Sequence, residues 1–240
     1  MELSKFATYF HISADELLDP WLVGAKEVEL LDADVNKDFK FNTEKLRQLV
    51  LYLLEKCGGQ PNFGETVLYK LLYFIDFDSF ENLGKPITGM NYVKLQFGPA
   101  PQIKQFQTVI DEMKEKKEIK IFFQDYHGLK QKRYIALTES SLKDFSAQEK
   151  DVVDEVVDRL SSMSATQIEA YSHGDVPWQV TSSKGVISYD LVVDRDPPYT
   201  KKDYWQMWQD AAGRDTLKDL GPISKEDYDY YENLCLKKEK

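Results

Sequence analysis

Leu46, Leu49, Val50, Leu53, Leu54 and Cys57 recur at alternating spacings of three and one, the period of a helix that buries one face. Asn42 or Thr43 supplies its cap and Gly58-Gly59 its stop, so the pattern predicts a helix over 43–57. The next segment, from about Glu65 to Asn82, places Val67, Leu68, Leu71, Leu72, Phe74, Ile75, Phe77 and Phe80 nearly all the way round a helix. Such a helix belongs at the centre, packed on several sides.

The period then changes to two. In "PITGMNYVKLQFGPAP", Pro86–Pro101, Val93, Leu95 and Phe97 face one side of a predicted strand and Tyr92, Lys94 and Gln96 the other. Gly98-Pro99-Ala100-Pro101 is expected to run extended, with Pro101 in the first turn of a helix striped by Ile103, Phe106, Val109, Ile110 and Met113. "IKIFFQ" and "QKRYIAL" flank "DYHGLK" as a β-hairpin turning at Gly128. Ser146-x-x-Glu149 is a capping box before Val152, Val153, Val156, Val157, Leu160 and Met163, and Ser164-x-x-Gln167 repeats the device for a short helix ending at "YSHGD". The fold class is therefore mainly α with a small β element (α+β): a β-hairpin and one additional short strand. Residues 1–30 read as short helices, 31–42 as an acidic linker and 201–240 as a helical extension rich in aromatics.

Charge narrows the function. A formal net charge of −10 opposes general binding to a phosphate backbone, which depends on lysine and arginine displacing counterions. Cys57 lies on an apolar stripe far from Cys235, so a buried free thiol and a reducing compartment are expected. With no apolar run of membrane-spanning length, no membrane association and a cytoplasmic location are expected.

Candidate chemistry is sparse. Gly59-Gln-Pro-Asn-Phe-Gly64-Glu65-Thr66 has the spacing of a phosphate-binding loop, but Glu65 stands where lysine is required and a helix precedes it, so a turn is expected. His11, His127 and His173 have no Cys or His at metal-ligand spacing. His173 precedes Gly174, which is expected to take a left-handed C-cap, and capping or hydrogen bonding is the favoured role of the imidazole. Asp76 and Asp78 project about 200° apart on a helix and cannot easily share one ion, so solvated or locally bonded acids are expected. No catalytic residue, metal or cofactor is assigned. Two readings stand beside a binding protein: a winged-helix regulator using Lys130, Lys132 and Arg133, and a hydrolase using His173 with Asp175.

Four motifs in order carry a resemblance. "VLYKLLYFIDFDSFENLGKPITGMNYVKLQFGPAP", "SATQIEAYSHGDVPW" and "DRDPPYT" resemble the Panacea domain of SocA-like antitoxins over roughly residues 43–200. The family pattern maps onto Lys70, Leu71, Tyr73, Phe74 and Asp76; Pro86, Ile87, Thr88 and Gly89; Tyr92, Gly98 and Pro99; and Ser172, His173, Pro177 and Trp178. These positions are structural or toxin-binding. The resemblance implies an antitoxin that binds a cognate toxin encoded by the adjacent gene, with presentation of that toxin to a protease in some relatives. "LSKFATYFHISADELLDPWL" is similar to the C-terminal end of a lambda-repressor-like helix-turn-helix, a partial remnant whose recognition helix would precede Met1. Nucleic-acid binding is accordingly not expected of this chain alone, and a DNA-binding transcriptional regulator is kept as the alternative.

Overall fold

The computed structural model describes residues 35–126, 128–204 and 206–207, which fall into two units parting between Tyr199 and Thr200. The expectations for 1–30 with His11, for 31–34 of the linker, for His127, and for the extension beyond Met207 with Cys235 lie outside the described residues. In the second unit, the Met207 N–H donates to the Asp203 carbonyl at 2.9 Å, one helical turn.

The first unit is mainly α with two small antiparallel hairpins. Helix α1, Thr43–Cys57, starts where the Asn42 side chain accepts the Lys45 N–H, and it buries the stripe Leu46 to Cys57. Helix α2, Glu65–Leu83, is buried along almost its whole length and stops at Gly84, φ 72°. Leu71, Leu72, Phe74 and Phe77 are fully enclosed, each stabilising the fold by about 1.5–3 kcal/mol. The turn between the two helices directs carbonyls rather than N–H groups at its charged partner. Arg133 donates to Gly58 O at 2.5 Å and Gln60 O at 2.9 Å, the reverse of a phosphate cradle.

One more strand forms than the sequence pattern predicts. β1, Tyr92–Leu95, and β2, Gly98–Pro101, are joined by Gln96-Phe97 and pair antiparallel from Tyr92↔Pro101 to Leu95↔Gly98. The prolines are tolerated for a geometric reason. Tyr92 and Lys94 direct their backbone groups to the opposite edge, where Ile187 N–H reaches Tyr92 O at 2.8 Å and Lys94 N–H reaches Gly185 O at 3.0 Å. Pro99 and Pro101 therefore face positions that need no donor. The simple two-face alternation also fails, since Tyr92 and Val93 are both buried between β2 and residues 184–187. Helix α3, Ile103–Glu115, begins after Gln102, so Pro101 ends a strand and is not in the helix.

β3, Ile119–Tyr126, and β4, Leu129–Ala136, form the expected hairpin, with Gly128 at φ 79°. Both predicted capping boxes are present, opening α4, Ala147–Leu160, and α5, Ala165–His173. A short α6, Val176–Val180, and a 3₁₀ segment, Tyr189–Asp194, complete the unit. α2 packs against α4, α5, β2, β4 and the 3₁₀ segment. No described helix is long and apolar enough to cross a membrane.

Candidate functional site

A helix that is apolar all round has nowhere to solvate its charges, and α2 carries Lys70, Asp76, Asp78 and Glu81 into the interior. Each must find partners there, because an uncompensated buried charge is very costly. Three polar centres result.

The first gathers Lys70, Gly98, Pro99 and Ser172. Lys70 has no exposed surface, and its Nζ donates to the Pro99 carbonyl at 2.7 Å. Gly98 has φ 93°, and a Cβ there would lie 2.9 Å from Lys70 Cε and Nζ and collide with Ser172 Oγ. The Ser172 hydroxyl donates to Glu169 O at 2.8 Å. Burial lowers the Lys70 ammonium from 10.5 to about 7, against the opposing charge of Glu169.

The second centre is the Asp76 carboxyl, fully buried. It accepts the Thr88 N–H at 2.7 Å, the Thr88 hydroxyl, and lies 2.8 Å from the Tyr92 hydroxyl, which also reaches Leu72 O at 2.8 Å. The Pro86-Ile87-Thr88-Gly89 turn exists to present Thr88. Pro86 is half-buried, and Gly89 has φ 66°, with a Cβ there lying 2.8 Å from Lys40 O. Burial raises Asp76 from 3.8 to about 6, with Thr88 and Tyr92 opposing.

Lys70 and Asp76 therefore shift against the usual sense. Lysine binds its proton less well folded than unfolded, so it destabilises the fold below about pH 7 and this penalty fades as pH rises from 7 to 10.5. Asp76 binds its proton better folded, so its stabilising effect is full below 3.8 and lost as pH rises to about 6. Wild-type stability should rise by about 2 kcal/mol between pH 7.5 and 9.5, from the roughly 1.4 kcal/mol per pH unit of one linked proton. Lys70→Met should flatten that rise in urea titrations at the two pH values; an unchanged slope would refute the assignment.

The third centre is Arg195. Its guanidinium donates to Asp175 Oδ1 at 2.8 Å and Oδ2 at 2.7 Å, to Asp78 Oδ1 at 2.8 Å and to Glu81 Oε2 at 3.1 Å. The Tyr73 hydroxyl donates to Asp175 Oδ2 at 2.7 Å, and Arg159 reaches Asp78 Oδ2 at 2.5 Å. The Phe74 and Phe77 rings lie 5.9 and 5.7 Å from the guanidinium carbon. Burial disfavours the charged guanidinium, but Asp175 and Asp78 outweigh it and hold Arg195 protonated. For Asp78 burial wins over Arg195 and Arg159, and its carboxyl rises above the ordinary value. Asp76 and Asp78 do diverge to different partners, as the helix period requires. Neither is solvated; of the two alternatives expected for these acids, the bonded one holds.

The remaining motif residues lie where α5 meets α6. Pro177 is buried, while half-buried His173 and Trp178 stack at 4.3 Å with planes 15° apart. Lys94 Nζ sits 4.5 Å from the Trp178 ring. Gly174 is right-handed, φ −83°, correcting the left-handed expectation; it is glycine because the Tyr199 hydroxyl occupies the space a Cβ would take. Asp175 gives both oxygens to Arg195 and Tyr73, so no His173–Asp175 acid–base pair forms. The basic hairpin is also largely spent, with Lys132 paired to Glu65 at 2.7 Å and Arg133 buried against the α1–α2 turn. Among the described residues no group of three or more His, Cys, Asp or Glu is placed to hold a metal ion.

Sequence reasoning thus found Lys70, Tyr73 and Asp76, weighed Asp78 only as a second acid that cannot share an ion with Asp76, and passed over Glu81, Arg159 and Arg195. Their signal was available: acids three apart on an all-apolar helix demand an interior cation.

Comparison with known proteins gave no match among curated proteins and none among solved structures. Residues 68–179, the stretch that contains every motif position from Lys70 to Trp178, match the family model described as Antitoxin SocA-like, Panacea domain, which supports a general antitoxin role.

Proposed function

We propose that this chain is an antitoxin that neutralises a cognate toxin, the product of the adjacent gene, by direct protein–protein binding in the cytoplasm and without catalysis of its own. The observation that carries the reading is the family match over 68–179. The polar centres support it. The matched charged and aromatic residues are spent inside the protein, on one another, on backbone carbonyls and on Arg195, so the motifs build a rigid scaffold and leave its outer surface free to vary with the partner. An acidic chain, at −10, complements a basic toxin and speeds encounter with it. Delivery of the bound toxin to a protease is a further use of the same contact.

Co-expression with the adjacent open reading frame tests this. The expected result is that the neighbour alone arrests growth, that this chain restores it, and that the two co-purify. A non-toxic neighbour, or a toxic one neither relieved nor bound, would refute the proposal.

A further inference from the structure

The segment "SYDLVVDRD", Ser188–Asp196, sorts its residues with a period of three. Tyr189, Val192 and Arg195 are buried, as the eclipsed side chains of a 3₁₀ turn allow. What remains outside is Asp190, Val193, Asp194 and Asp196. Arg195 is the cation that would neutralise these aspartates, and it is turned wholly into the core. None of the three outer carboxylates has an ion-pair partner among the described residues. Val193 stands 56% exposed among them, and α6, packed on the same segment, adds Val180 at 61%. Lys94, the cation beside α6, is committed to Gln179 O at 2.8 Å and to the Trp178 ring.

We infer that this face, the 3₁₀ segment with α6, is where the toxin docks, and that it takes a basic surface carrying an apolar anchor; the inference rests on the antitoxin reading. Charge complementarity selects the occupant. An exposed valine flanked by three unneutralised carboxylates, with a second exposed valine on the helix packed against the segment, fits lysine or arginine around a hydrophobic side chain. A second copy of this chain would set like charges against each other, and nucleic acid would be repelled.

The test measures binding of the adjacent-gene product, and rescue of growth, with the full chain and three surface variants. These are D190K/D194K/D196K, V180S/V193S, and the control D144K/D151K/D158K, which makes the same charge change at exposed positions elsewhere. Each variant is first shown to melt with the wild type. The expected result is that both docking-face variants weaken binding at least about tenfold and lose rescue while the control keeps both, with the wild-type affinity falling as salt rises. Wild-type affinity in the two docking-face variants would overturn the docking surface and leave the antitoxin reading standing. Failure of the wild type to bind would overturn both. Self-association of the free chain that V180S/V193S abolishes would also overturn it, assigning the face to a second copy.

Discussion

Arg195→Ala should lower stability by about 3–5 kcal/mol, the usual range when one partner of a buried ion pair is deleted. Domains of this kind are stable by only about 5–15 kcal/mol, so much of the folded margin goes. The reason is what stays behind. Asp175, Asp78 and Glu81 would keep their places in the interior with the guanidinium gone, and only Tyr73 and Arg159 would still donate to the first two. Arg195→Lys should fall in between, because it restores the charge as a point without the planar fork that grips Asp175 through two atoms. Asp175→Asn in the Arg195→Ala background should recover part of the loss by removing one stranded charge. Urea unfolding followed by circular dichroism measures all three. A loss for Arg195→Ala of under about 1 kcal/mol would show that the network is solvated in solution.

Helices α1, α4 and α5 were legible because each opens on a cap ahead of its apolar positions: Asn42, Ser146 and Ser164 all cap as their positions predict. The β1–β2 hairpin was not. Pro99 and Pro101 look like breakers in sequence, and only the pairing register shows that their missing N–H groups face away from β1. Gly174 misled for a related reason: glycine after a helix usually signals a left-handed cap, whereas here it signals the approach of Tyr199, distant in sequence. The polar centres were half legible. That α2 must be buried follows from its pattern, and so does the need for partners. Which partners they are is a tertiary fact that no local period encodes: residues 88–99 return over α2 to meet Asp76 and Lys70, and 184–199 return across it to bring Arg195 to Asp78 and Glu81. Lys70 and Ser172 meet around Gly98, and Asp78 meets Arg195, only through these long-range returns of the chain. Arg195 itself lies beyond the 68–179 match, so the matched segment ends before the cation that neutralises its buried acids.

Gly98→Ala should cost about 2–4 kcal/mol, and its two causes can be separated. The first is conformational: φ 93° lies where a Cβ crowds the backbone, worth about 1–2 kcal/mol. The second is the collision with Ser172 Oγ and with Lys70, whose ammonium cannot swing aside without abandoning Pro99 O in a sealed interior. Gly128 supplies the control, since it has φ 79° and nothing within 4 Å of its Cβ position. Gly128→Ala should therefore show the conformational cost alone, and the difference between the two variants in urea unfolding isolates the collision. Ser172→Ala placed in the Gly98→Ala background should then recover part of that difference by removing the nearest obstructing atom, which is coupling of the kind a double-mutant cycle measures. If the two glycine variants lose equal stability and Ser172→Ala rescues nothing, Gly98 is required only for its turn. If rescue is seen, Lys70, Gly98 and Ser172, drawn from three separate motifs, act as one packed unit, and their recurrence together reflects the scaffold rather than contact with the toxin.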